Sequence, residues 1–173
     1  MVNLFSASPQ KTKKIGEIFA KNCLKIKRKK GALVLGLKGT LGGGKTTFLQ
    51  GFAKGFGIKD RILSPTFVIL KKFSIPKSKN QRFPNFYHID CYRVSSLKEI
   101  SSLGFKQIIS STQNIVAIEW AERILKILPK DTLFLKFCFV GPKKRKISCG
   151  IIKNKANQSL ITNIFKELAL RAF

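Results

Sequence analysis

Residues 39–46 read GTLGGGKT, four glycines in eight positions followed by a lysine and a threonine. Glycine loses more conformational freedom on ordering than any other residue, so such a cluster implies a backbone path that side chains would not tolerate. Gly39, Gly44, Lys45 and Thr46 fit the spacing G-x-x-x-x-G-K-[ST]. In that motif main-chain N–H groups wrap phosphates, the lysine reaches the terminal ones and the hydroxyl binds Mg²⁺. The flanks supply the required context. Upstream, ALVLGLK (residues 32–38) is a short apolar run of the kind that forms a buried parallel strand. Downstream, Phe48, Leu49, Phe52, Ala53 and Phe56 recur at helical spacing, and Gly55 and Gly57 mark the helix end. Strand, glycine loop and helix follow in the order that aims a helix N-terminus at an anion.

Only eight residues are acidic, so carboxylates that end apolar runs are informative. NIVAIEW (114–120) ends in Glu119, and FYHIDCYR (86–93) places Asp90 near the end of a strand. In an open α/β sheet the ligand crevice lies outside the carboxyl ends of the strands, so both carboxylates are expected beside the glycine loop. Mg²⁺ takes oxygen ligands, commonly one or two carboxylates with substrate phosphates and waters. Thr46, Glu119 and Asp90, directly or through water, make such a set. Ion pairs of Asp90 with Arg93, and of Glu119 with Arg123 or a helix N-terminus, stay open as alternatives. The single histidine, His88, reads as a strand residue near the site. Cys23, Cys91, Cys138 and Cys149 form no C-x-x-C pair and read as reduced and buried.

Ser8 and Pro9 start a helix with Ile15, Ile18, Phe19 and Ile26 on one face, ending near Gly31. SPTFVIL (64–70) and NFYHIDCY (85–92) read as strands, joined by the polar connection KKFSIPKSKNQRFP. A short helix around SLKEISSLGF, the Glu119 strand, a helix AERILKIL stopped by Pro129, a hairpin of DTLFLKFCFV and KISCGII, and a helix over 159–171 follow. The order predicts one α/β domain over residues 1–173, P-loop NTPase-like, with three layers and a mixed central sheet flanked by helices.

The formal net charge of +26 is the electrostatic footprint of a nucleic-acid binder. Yet the 27 Lys and 7 Arg are spread over nearly every segment beside 20 Ile and 15 Phe, which reads as a coding bias. KIKRKKG and GPKKRK read as solvated turns, and weak attraction to RNA or to an acidic partner stays open. No apolar run reaches the ~18 residues of a membrane span, and the first residues lack a signal-peptide core. A cytoplasmic protein is expected.

GTLGGGKTTFLQGFAKGFGI, SPTFVIL, FYHIDCYRV and VAIEWAERI, in that order and spacing, resemble the TsaE family of bacterial P-loop ATPases. The similarity runs from about Thr12 to the second hairpin. It implies an Mg²⁺-dependent ATPase, slow alone, that works with TsaB and TsaD to form threonylcarbamoyladenosine beside the anticodon of tRNAs reading ANN codons. By the resemblance, Gly39, Thr40, Leu41, Gly42, Gly43, Gly44, Lys45, Thr46 and Thr47 hold the phosphates of ATP. Lys45, Asp90 and Glu119 act on the reaction, and Thr46 and Glu119 bind the metal. Ser64 and Thr66 form a switch-like segment, and Trp120 and Arg93 mark a site or partner surface. Gln10 to Thr12 and Lys143 to Arg145, with Lys144 and Arg145 foremost, lie by the base. Thr40 stands where the family has Asp, and the positive charge leaves weak contact with tRNA open. A P-loop small-molecule or protein kinase and a basic RNA-binding protein are the alternative readings.

Overall fold

The computed structural model describes residues 3–26, 28–76, 82–149, 162–166 and 168. In chain order it has β1 (Asn3–Ser6), α1 (Pro9–Cys23), β2 (Leu33–Gly39), α2 (Lys45–Gly55), β3 (Leu70–Ser74), β4 (Asn85–Asp90), α3 (Leu97–Ser102), α4 (Phe105–Ser110) and β5 (Asn114–Glu119). A 3₁₀ segment (Ala121–Ile127), β6 (Leu133–Phe139) and β7 (Arg145–Cys149) complete the elements. The strands make one mixed sheet in the order β1-β7-β6-β2-β5-β4-β3. β2 pairs in parallel with β5 and β6, and β4 in parallel with β5. β1, β7 and β3 pair antiparallel. This is the α/β fold with a mixed sheet and helices on both faces that the sequence predicts.

The central strands are buried on both faces, which is why they read as continuous apolar runs. On one face α1 and α2 cover Leu33, Leu35, Leu37, Leu133, Leu135 and Ile147. The ring of Phe19 lies 5.8 Å from that of Phe48 and 6.1 Å from that of Phe52, and each buried phenylalanine contributes ~1.5–3 kcal/mol. α1 and α2 meet backbone to backbone: a Cβ at Gly51 would sit 1.8 Å from the Lys13 carbonyl oxygen, and one at Gly16 2.2 Å from that of Phe48. On the other face Ile100, Phe105, Ala121 and Ile124 cover Val34, Val116 and Ile118. None of the described helices is long and apolar enough to cross a membrane.

Several local expectations need correction. α1 begins as predicted, with the Ser8 hydroxyl accepting from the Lys11 N–H at 3.1 Å, but ends at Cys23. Beyond it the basic run places like charges at i,i+4, which opposes further helix. SPTFVIL is a turn rather than a strand: Val68 and Ile69 both donate to the Pro65 carbonyl, Ile69 has φ +63°, and extended structure starts at Leu70. The connection after it is shorter than expected because LKKFS forms β3 against β4, and residues 77–81 lie outside the described residues. FKQIIS makes the unexpected helix α4. AERILKI is 3₁₀ in character with non-helical geometry at Ile124. Of the helix expected over 159–171, residues 162–166 are helical and the rest lies largely outside the described residues. Cys23 and Cys91 are free and buried, whereas Cys138 is only half-buried.

Candidate active site

Because β2, β5 and β4 are parallel, their carboxyl ends meet at one edge. Leu37 is in register with Glu119, and Glu119 with Asp90. The loop leaving β2 crosses this edge with Gly39 at φ +125°, packed so closely that a Cβ would lie 2.0 Å from the Phe137 carbonyl oxygen. Gly44 caps α2 in the left-handed region and offers no side chain to its first N–H groups. Those donors therefore face the cleft, as an anion requires.

The cleft has a volume of about 280 Å³, near the lower end of the ~300–1,000 Å³ typical of small-ligand sites. Leu41 to Thr47 line it, together with Thr12, Ser64, Thr66, Asp90, Glu119, Trp120, Lys143 and Arg145. Tyr92 and Pro142 also line it, as do Ser8 and Pro9, which the sequence marks as a helix start and not as site residues. Gly39, Thr40, Gln10 and Lys144 are not among the lining residues. Gly39 and Thr40 instead present their carbonyls to Lys45, whose Nζ donates to them at 2.8 and 2.9 Å.

Lys45 is 4% exposed, and its Nζ also sits 4.0 Å from the centre of the Trp120 ring. Burial holds its pKa below the usual lysine range, against the opposing pull of Glu119, Glu122 and Asp90. A buried ammonium in that position favours an anionic partner. Trp120 reaches the cleft because its backbone turns left-handed, at φ +57°, as β5 ends, and its ring packs 5.1 Å from that of Tyr92.

The two carboxylates make none of the arginine pairs left open above. Glu119, 3% exposed, accepts from the Thr46 hydroxyl at 2.9 and 3.0 Å and lies 3.0 Å from His88 Nε2. Asp90, 2% exposed, accepts through Oδ2 from the Ser64 and Thr66 hydroxyls, the latter at 2.7 Å. Its Oδ1 accepts from the Tyr92 N–H at 2.9 Å. Arg93 turns away, its guanidinium 4.3 Å from the Phe67 ring centre, and Arg123 donates to the Val94 carbonyl. Arg145 donates to the Gly42 carbonyl at 2.9 Å, tying the β6–β7 turn to the glycine loop.

Thr46 Oγ1 and the carboxylates of Glu119 and Asp90 are hard oxygen donors at the mouth of an anion-binding loop, and that set fits Mg²⁺ rather than a softer metal. Among the described residues no cluster of three or more His, Cys, Asp or Glu side chains offers a competing metal site.

A family model described as "Threonylcarbamoyl adenosine biosynthesis protein TsaE" matches residues 6–147. The chain is 44% identical over 106 residues to the tRNA threonylcarbamoyladenosine biosynthesis protein TsaE of Borreliella burgdorferi, covering 61% of this chain and 72% of that one. It is 33% identical over 150 residues to the protein of the same name from Bacillus subtilis, covering 87% and 85%. The crystal structure of Bacillus subtilis YdiB superposes with a TM-score of 0.68 at 27% identity, covering 96% of this chain and 97% of that one.

Proposed function

The chain belongs to the TsaE family of threonylcarbamoyladenosine biosynthesis proteins, and we propose that it is an Mg²⁺-dependent ATPase acting with TsaB and TsaD on tRNAs that read ANN codons. The observation that carries the reading is the contact of Thr46, first turn of α2, with Glu119, last residue of β5, directly beside Lys45. A phosphate loop alone binds nucleotide. A loop whose hydroxyl is already joined to a buried carboxylate on the neighbouring parallel strand can also hold a metal against the phosphates.

On this reading the N–H groups of residues 42–46 wrap the phosphates. Lys45 exchanges its two carbonyl bonds for phosphate oxygens, gaining charge-assisted partners. Thr46 and Glu119 hold Mg²⁺, which when bound neutralises charge on the phosphates and the leaving group. Asp90 sits one strand further out and orients the attacking water. Ser64 and Thr66, bound to Asp90 here, then feel its engagement, which makes their turn the element that reports the nucleotide state. Thr12 and Arg145, which lie against Gly44, flank the base and ribose together with Pro142 and Lys143.

The test is ATP hydrolysis by the purified protein with and without Mg²⁺, and with and without TsaB and TsaD. Low basal turnover that needs Mg²⁺ and rises with the partners is expected, and Lys45→Ala removes both binding and turnover. Partner-independent turnover, or none in any condition, overturns the assignment to this pathway.

A further inference from the structure

His88 is fully buried in the middle of β4, flanked by β3 and β5. Alternation along the strand puts Phe86, His88 and Asp90 on one face, so this face runs from core to site in three steps. Ala117 stands opposite His88 in register, and Glu119 opposite Asp90. The small Ala117 leaves room for the imidazole to reach diagonally to the carboxylate, where Nε2 lies 3.0 Å from Oε1.

The tautomer follows from the partners. A carboxylate is an acceptor only, so Nε2 carries the proton and donates it. Nδ1 is buried with no partner among the described residues, an uncompensated burial that phenylalanine or leucine would avoid. The imidazole thus contributes through Nε2, which steers Glu119 by one hydrogen bond.

We propose that His88 is the positioning residue of the metal site: it pins Glu119 Oε1, which also meets Thr46, and leaves Oε2 to face the metal. The inference rests on the proposed metal role of Glu119. Outer partners of this kind fix ligand orientation, and their loss typically weakens metal affinity ~10–100-fold.

The experiment has two parts. His88 is the only histidine and Trp120 the only tryptophan, so both report without ambiguity. The imidazole ¹⁵N spectrum of the labelled wild type is expected to show a proton on Nε2, and an Nδ1–H tautomer with a bare Nε2 overturns the inference whatever the variants do. In the second part, Trp120 fluorescence follows ATP binding in EDTA and in an Mg²⁺ titration. His88→Phe is expected to raise the Mg²⁺ half-saturation ~10–100-fold with binding in EDTA unchanged. His88→Gln, whose Nε2 falls near that of the imidazole, is expected to restore it, whereas His88→Asn, whose amide reaches only the Nδ1 position, is not. A His88→Phe titration equal to wild type, or equal losses in His88→Gln and His88→Phe, overturns the inference while leaving the metal role of Glu119 intact. A wild type with no Mg²⁺ dependence overturns both. If His88→Phe does not fold, the comparison of His88→Gln with His88→Asn decides in the same way.

Discussion

Glu119→Gln separates charge from shape with little disturbance of the apo fold. Oε1 receives both the Thr46 hydroxyl at 2.9 Å and His88 Nε2 at 3.0 Å, while Oε2 receives only the second Thr46 contact at 3.0 Å. A glutamine that keeps its carbonyl oxygen at the Oε1 position satisfies both donors and places its NH₂ toward the cleft, so stability should stay within ~1 kcal/mol of wild type. The metal site is another matter. A unit charge ~4 Å from a dication is worth ~8 kcal/mol at an effective dielectric of ~20. Halving this for the wet cleft mouth leaves ~4 kcal/mol, or about a 1,000-fold rise in the Mg²⁺ concentration needed for half-saturation with ATP. In EDTA the sign reverses, because the substitution removes an anion beside the phosphates, and ATP should bind as well as or better than to wild type. Calorimetric titration of ATP, with Mg²⁺ and with EDTA, reads both numbers. A half-saturation within threefold of wild type refutes Glu119 as a metal ligand. Equal losses in Mg²⁺ and EDTA refute the claim that charge rather than fold was removed.

The depressed pKa of Lys45 has two consequences of known sign. Its native value lies below the unfolded value near 10.5, so in the interval between them the unfolded chain binds more protons, and stability rises with pH there relative to Lys45→Met. Over the same interval ATP affinity falls as the ammonium is lost, so denaturant titrations and binding isotherms across that range should move in opposite directions. Gly51→Ala tests the close approach of α1 and α2: its Cβ would enter the Lys13 carbonyl at 1.8 Å, overpacking costs ~1–3 kcal/mol, and a fall in Tm on the order of 5 °C is expected from thermal unfolding.

The parts of this site that were legible in the sequence are those fixed by local spacing. The glycine loop needs a strand before it and a helix after it, and both are written in the periodicity of residues 32–56. Glu119 and Asp90 were legible because each ends a buried apolar run, and parallel pairing brings such ends together. SPTFVIL was misread for a physical reason: its composition favours a strand, but Pro65 takes two N–H groups into turns and the Ser64 and Thr66 hydroxyls are drawn to Asp90, which no local pattern reveals. Tyr92 and Pro142 were invisible because their place in the cleft depends on how β4 and the β6–β7 turn are set against the loop. The contact of His88 with Glu119 was hidden in the same way, since it depends on the register of β4 with β5 and on alanine at position 117.

In this structure the side chains proposed to meet the terminal phosphate and Mg²⁺ are all engaged by the chain itself. Lys45 is bonded to two loop carbonyls, Glu119 to Thr46 and His88, and Asp90 to Ser64, Thr66 and the Tyr92 amide. Buried polar groups are costly when unpaired, so this internal pairing keeps the site stable without ligand. It also means that for these side chains binding is an exchange rather than a simple gain, since each new contact they make to phosphate or metal displaces one already made. The exchanges differ in reach. That of Lys45 stays within the glycine loop and that of Thr46 ends at Glu119 on β5, whereas that of Asp90 releases two hydroxyls of the turn that exposes Phe67 and Val68. Under the proposed function, the step that engages Asp90 is therefore the one whose consequence extends to the surface, where a partner protein would read it.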